Sequence, residues 1–361
     1  MSSSCRARPA TSSASNPGTS RGRRQRRPLL FAPALAVAFV ACTTGPIGTA
    51  PQAIPSGAGV GTRAAFAVAA PAGLIGFDAT GKELGQIVRL PPGTTASSPT
   101  LDPRGKTIVF ALSQTTDNHD LGSDIYSVNL DGSDLRPLLK HDRPGVFYAS
   151  PALDRGGGFL YVHRRAADLD LSRPAAARSE DSIERVDLSS GERRTIVTDA
   201  AEPTISPDGQ VLVFVHLNRG DQSGLWTARA DGSASGPFLK SRDTFVFLQA
   251  PRISPTGREL VLSSAGHVVT RLSEATASKP TGGGRSIHLD IPSEIFIAPL
   301  GGGALRSIAT TGDDVVPAWS PDGSRIAYIA LATFYVISSA DGSVQVAQPI
   351  GVRYGDPVWL H

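Results

Sequence analysis

Two sets of residues in this sequence have the types and spacing for chemistry. The first are aspartates in a recurring Ser-Pro-Asp-Gly phrase, at Pro207, Asp208, Gly209 and again at Pro321, Asp322, Gly323. Out of context such carboxylates would be candidates for general acid or base work. The second set lies between apolar segments: His119 and Asp120, His141, Asp142 and Arg143, Arg164 and Arg165, His216 and Arg219, then His267, Arg271, Arg285 and His288. Imidazoles that are distant in sequence can converge to move protons or ligate a metal, and guanidinium groups bind carboxylates and phosphates. Arg252 is a further cation, directly after a proline where matching segments carry Thr100, Ala152, Thr204, Ala318 and Val358. Cys42 is the only cysteine after the first 41 residues. What any of these can do depends on the elements that hold them.

Those elements repeat. A proline followed two residues later by a large apolar side chain opens each unit, at Pro99 with Leu101, Pro151 with Leu153, Pro203 with Ile205, Pro251 with Ile253, Pro317 with Trp319 and Pro357 with Trp359. After it come a tight turn, an apolar strand such as Ile326 to Ile329, a third strand running into Asp-Gly or Gly-Gly, and a fourth. Four antiparallel strands per repeat of 40 to 66 residues mark a β-propeller blade. The segment from 64 to 90 has strands two to four without an opening phrase, and "PVWLH" at 357 to 361 is an opening strand with nothing after it. The expected fold is therefore all-β, a six-bladed β-propeller of four-stranded antiparallel blades over 63–361, closed by the C-terminal strand joining the first blade. Within it Ser-Pro-Asp-Gly is a turn device: proline presets φ, aspartate binds nearby amides and glycine takes positive φ. That role, not acid catalysis, is assigned to Asp208 and Asp322.

The phrase "WSPDGSRIAYIA" (319–330) resembles the propeller repeat of the TolB family, also called the PD40 or WD40-like repeat, and the resemblance extends over nearly all of 64–361. It implies a TolB-like six-bladed propeller. No counterpart of the N-terminal α/β domain of TolB is expected ahead of residue 64.

The first 62 residues have another character. All seven of their charges are arginine, which leaves 28 basic against 32 acidic residues in the remainder. A body of that balance offers no electrostatic case for nucleic-acid binding. "RGRRQRR" followed by the uncharged run Leu29 to Ala41 reads as a signal peptide over 1–41, too short to span a bilayer. "RRPLL" leaves general and twin-arginine export both open. A lone thiol in an exported chain has no internal disulfide partner, and "FVAC" resembles the lipobox of bacterial lipoproteins, which implies lipidation of Cys42. Residues 42–62, uncharged and rich in Gly, Pro, Ser and Thr, are expected to form a flexible tether.

In such blades the one-two and three-four turns lie at one end, and the two-three loops and blade crossings at the other. The first group is short; two-three loops of 114–123, 165–181, 217–223 and 265–292 are read as long. The polar residues named above collect at that elaborated end, where a binding site would be grafted on a rigid scaffold. The expected function is a binding or scaffold module anchored to a membrane of the cell envelope through its lipid, with a protein or peptide partner and a glycan as second candidate. The alternatives are an accessory sensor subunit of an envelope complex, or an enzyme related to propeller lyases, some of which use metal-bound histidines. No sequence motif calls for a cofactor or metal: the body has no Gly-x-Ser-x-Gly elbow, no His-Glu-x-x-His and no phosphate-cradling glycine loop.

Overall fold

The computed structural model describes residues 59–71, 73–114, 121–167, 179–218, 221–238, 247–265, 293–351 and 355–360. Cys42 and the expected signal peptide lie outside them. One helical turn, α1 (Val60–Arg63), precedes the strands. β1 (Phe66–Ala70), β2 (Gly73–Phe77) and β3 (Glu83–Arg89) come first, then β4 (Thr94–Leu101), β5 (Thr107–Gln114), β6 (Ser123–Asn129) and β7 (Arg136–Leu139). β8 (Val146–Leu153), β9 (Phe159–Ala167), β10 (Ser179–Asp187) and β11 (Arg193–Thr198) follow, and after them β12 (Ala200–Ile205), β13 (Val211–Asn218), β14 (Asp221–Arg229) and β15 (Gly236–Pro237). The chain continues through β16 (Phe247–Ile253), β17 (Glu259–Ala265), β18 (Ser293–Pro299) and β19 (Arg306–Thr311). It ends with β20 (Ala318–Trp319), β21 (Arg325–Ala330), β22 (Thr333–Ser338), β23 (Val344–Pro349) and β24 (Asp356–Trp359).

These strands make an all-β propeller of antiparallel blades. β24 pairs with β1, Phe66 opposite Trp359 and Ala69 opposite Asp356, and heads the sheet β24-β1-β2-β3. β12–β15, β16–β19 and β20–β23 form three more four-stranded sheets. Where six separate four-stranded sheets were expected, four are found, and β4 to β11 form a fifth, single eight-stranded sheet. Its two antiparallel halves, β4–β7 and β8–β11, are joined by one parallel bridge between Ser123 and Phe147. The Ser123 hydroxyl donates to the Tyr148 carbonyl at 2.6 Å beside that bridge.

Strict alternation explains why the apolar strands bury both faces. In β5, Ile108, Phe110 and Leu112 pack against Ala67, Leu74 and Ile87 of the first sheet, while Val109 and Ala111 face Val146, Leu160 and Val162. Leu212 and Phe214 of β13 meet Tyr161 and Ile183; Val213 and Val215 meet Leu260 and Leu262. Val261, Ile295 and Ile297 then pack on Trp319, Ile326 and Tyr328, and the opposite face of β21 and β22 buries Ile329, Phe334 and Val336 against Phe66, Phe77 and Trp359.

The opening phrase accounts for the edge strand of each sheet. β4, β8, β12 and β16 slip register at their proline, and the residue before it, Ser98, Ser150, Glu202 or Ala250, has φ of 50°, 49°, 51° and 49°. A bulge there turns backbone groups toward the neighbouring sheet. Asp356 Oδ2 accepts the Ser98 N–H at 2.7 Å, and Glu202 Oε2 accepts that of Ala250. The tryptophans two residues past the proline do the same from the side chain: Trp319 Nε1 donates to the Arg252 carbonyl at 2.9 Å and Trp359 Nε1 to that of Ala318 at 3.0 Å.

Several boundaries differ from the sequence reading: β9 runs through Ala167 and β10 starts at Ser179, which shortens the loop read as 165–181. Val60, expected in the tether, is buried against the first sheet, where its apolar side chain has somewhere to go. Residues 217–223 are not a long loop: β13 runs through Asn218 and β14 starts at Asp221, because Leu217 keeps the apolar alternation and is buried.

Trp359→Ala should cost about 3–5 kcal/mol, the usual range for emptying an aromatic site, since its ring lies 4.2 Å from Phe66. Trp359→Phe, which keeps an aromatic ring but loses the indole bond and part of the ring volume, should cost less than Trp359→Ala. Denaturant titration of both variants measures this, and equal midpoints for wild type and Trp359→Ala would mean that β24 carries no stability.

Candidate functional site

Five of the described candidates, His141, Asp142, Arg143, Arg164 and Arg165, lie on or between the two halves of the eight-stranded sheet. The crossing from β7 to β8, residues 140–145, is fixed at several points. His141 donates its backbone N–H to Asp124 Oδ1 at 2.8 Å, and its ring Nδ1 lies 2.5 Å from the same oxygen. Gly122 allows this approach, because a Cβ there would stand 2.7 Å from His141 Cδ2. The Gly145 N–H donates to the Leu121 carbonyl at 2.7 Å, and the Ala167 N–H to the Gly145 carbonyl at 2.8 Å. Arg193 of β11 adds a bond from Nη2 to the Lys140 carbonyl at 3.0 Å. With its backbone held this way, the crossing leaves Asp142 and Arg143 exposed.

β9 and β10 carry a polar group on each face. On one, Asp181 Oδ1 lies 2.7 Å from His163 Nε2 and 2.7 Å from Arg165 Nε. Burial pushes the Asp181 carboxyl up, but the hydrogen bonds and charges of His163 and Arg165 outweigh it and hold the group below its ordinary value. On the other face Glu184 takes Arg164 Nε at 3.3 Å and the Tyr148 hydroxyl at 3.3 Å, and Arg193 Nη1 donates to that hydroxyl at 3.2 Å. Here burial wins: it raises the Glu184 carboxyl despite Arg164, with the nearby Asp142 charge acting in the same direction as burial. Burial, followed by the Glu184 charge, pushes the Tyr148 hydroxyl up to about 12.

The other sequence candidates fall elsewhere. His216 stacks on Trp226, ring centroids 4.1 Å apart and planes 12° from parallel. Arg252 is partly exposed on edge strand β16, its Nη1 donating to the Pro251 carbonyl at 2.9 Å. Burial lowers its pKa while Glu202 and Asp356 oppose the shift, and a guanidinium so placed remains charged. His119, Asp120, Arg219, His267, Arg271, Arg285 and His288 lie outside the described residues. Asp208 and Asp322 are held in their turns. The Ser320 hydroxyl donates to Asp322 Oδ1 at 2.5 Å, the Ser324 N–H at 3.0 Å, and Gly323 has φ 74°. Those bonds, the Ser320 hydroxyl foremost, lower Asp322 to about 2, so it has no proton to give near neutrality. Asp208 is lowered in the same way by Ser206 and the Gln210 N–H, with Gly209 at φ 73°.

Sequence reasoning missed Asp124, Asp181, Glu184 and Tyr148. The one available signal was a carboxylate at the start of a third strand, where the pattern turns apolar. Among the described residues no three His, Cys, Asp or Glu side chains are grouped to hold a metal, and no helix is long and apolar enough to cross a membrane.

The architecture matches a solved structure of TolB from Acinetobacter baumannii with a TM-score of 0.59 and 17% identity, over 82% of this chain and 66% of that one. The fold is that of a TolB-like propeller. Putative TolB from Agrobacterium tumefaciens has a TM-score of 0.49 at 18% identity, over 72% of this chain and 87% of that one. Oligogalacturonate lyase from Vibrio parahaemolyticus has 0.46 at 12%, over 75% and 70%. No family model matches the sequence, and no curated protein does. The chain spans just under two thirds of the length of the Acinetobacter TolB.

The two carboxylates of β10 in this TolB-like propeller have opposite linkage to pH. Asp181, lowered from 3.8, adds stability above that value which is lost as pH falls through its folded value. Glu184, raised from 4.5, favours the fold below that value and loses this contribution as pH rises through its folded value. At pH 7 Asp181→Asn should therefore destabilise by about 1–3 kcal/mol, with the deficit shrinking below pH 3.8. Glu184→Gln should match or exceed wild type at neutral pH. Denaturant midpoints across the pH range test both signs.

Proposed function

We propose that this protein is a cell-envelope binding or scaffold module: a closed ring of six blades that engages a protein or peptide through the end carrying the 140–145 crossing. The count of six takes the halves of the eight-stranded sheet as separate blades. Closure is supported by the β24–β1 pairing and by the packing of Phe334 and Val336 on Phe66 and Trp359. The observation that carries the binding reading is the crossing itself. Its backbone is fixed by Asp124, Leu121, Ala167 and Arg193, while Asp142 and Arg143 face solvent. Charged side chains on a loop with little entropy left to lose are suited to recognition. The half-buried His141, His163, Arg164 and Arg165 act as supports for that surface, and Arg252 adds a cation on the inner edge. Protein recognition is favoured over a glycan because the exposed groups are of opposite charge, which orients a partner electrostatically.

Anchoring rests on the sequence alone. The apolar run before Cys42 and the uncharged stretch after it fit an exported lipoprotein whose body hangs on a tether. The tether would reach the ring through α1 and β1 at the short-turn end, which directs the 140–145 crossing away from the membrane.

Two experiments separate these parts. Cys42→Ser should move the protein from the membrane fraction to the soluble fraction; unchanged membrane attachment would remove the lipid anchor from the proposal. A photo-crosslinker at residue 143 should trap a discrete partner in cells, and Asp142→Arg should weaken that adduct without altering thermal unfolding. No adduct from 143, with adducts from the opposite end, would reverse the assignment of the working face.

A further inference from the structure

The outermost strands of the sheets differ in one respect that bears on association. β3 carries Glu83 and Arg89, β7 Arg136 and Pro137, β11 Arg193 and Arg194, and β19 Arg306, while β15 is only two residues long. Charge, proline and shortness are the usual means of keeping an exposed sheet edge from pairing with another chain. β23 has less of this protection. It reads Val-Gln-Val-Ala-Gln-Pro, and no charged residue occurs from Gly342 through Val352. The strand is well fixed: Arg306 donates to the Ala340 and Ser339 carbonyls at 2.8 and 2.9 Å, holding the turn that precedes it.

The surface beside this edge is apolar. Val344 is 60% exposed and Leu331 55%, two of the three exposed large hydrophobic side chains among the described residues. Both line a cavity of about 310 Å³ with Ile308, Tyr328 and Tyr335, and no lining residue is charged. Register shows which backbone groups are free to pair. The Ile350 N–H donates inward to the Ala332 carbonyl at 2.9 Å, so by alternation the N–H and C=O of Ala347 point outward.

We propose that two copies of this chain associate through β23, antiparallel about a twofold axis at Ala347. The two Ala347 residues exchange both hydrogen bonds; on one side the ladder stops at Gln345, where β23 bulges and its register slips from Val346 opposite Val336 to Val344 opposite Ile337. On the other side it stops at Pro349, which has no N–H to donate. A second copy is the occupant that the charges favour, because an uncharged strand meets its own image with nothing to repel. An arginine-bearing strand would set like charges against one another. Exposed Val344 and Leu331 lie beside the junction, where association covers them. The ladder is short, so the dimer belongs with small, reversible interfaces. It is independent of the partner-binding end.

Sedimentation equilibrium of the purified protein over a range of concentrations tests this. Wild type should show a reversible monomer–dimer equilibrium. Ala347→Lys and Ala347→Glu should each weaken it by at least about fivefold through like charges directly opposite, and an equimolar mixture of the two should restore it. Ala347→Pro, which removes only an outward N–H, should also weaken it, with unchanged thermal unfolding as the check on the fold. Wild type that stays monomeric at every concentration overturns the proposal, as does a dimer indifferent to Ala347→Lys. A monomer that binds an added uncharged valine-rich peptide at this edge would overturn it too, assigning the edge to a foreign strand.

Discussion

The architecture depends on hydrogen bonds that leave the edge strand of one sheet and end on the edge strand of the next. An antiparallel sheet satisfies its own backbone except at its edges, and buried edges need partners from outside. Here a bulge before proline turns the backbone outward at Ser98 and Ala250, and the carboxylates of Asp356 and Glu202 accept the exposed N–H groups. The Trp319 and Trp359 indoles close two further junctions from the side chain. Face-to-face apolar packing then sets the spacing between sheets. It is non-directional, so the polar links are what fix one sheet against the next in register.

The same division of labour appears at the candidate site. Tyr148, Glu184, Arg164 and Arg193 join the crossing at Lys140 to the third and fourth strands of the following blade. Groups that looked available in the sequence are largely engaged with one another, which makes them supports. Burial raises Glu184 while the contacts of His163 and Arg165 keep Asp181 lowered on the opposite face of the same strand. One strand thus holds carboxylates of opposite tendency because its two faces meet different neighbours.

The repeat was legible because it is local. A proline, an apolar residue two positions later and a Ser-Pro-Asp-Gly turn are short-range signals, and strand alternation such as that of Ile108 to Leu112 needs no partner to be read. The reading of 217–223 as a loop went wrong because Asn218, Arg219, Gly220 and Asp221 look like turn chemistry, whereas burial of Leu217 keeps the strand going. The Asp124–His141 and Glu184–Tyr148 contacts span 17 and 36 residues, and nothing in the local pattern links such pairs. The merging of β4–β11 was equally hidden, since it depends on one contact between Ser123 and Phe147.

That contact bears on how the molecule can breathe. Parting β6 from β8 breaks a backbone bridge and the Ser123 hydroxyl bond to Tyr148, and the next seam is tied by main chain too, the Asp199 N–H donating to the Asp181 carbonyl and the Leu217 N–H to that of Asp199. The two halves therefore act as one cooperative block. Transient opening concentrates at seams held by side chains alone, and amides around Ser123 and Phe147 exchange with solvent more slowly than those beside such a seam.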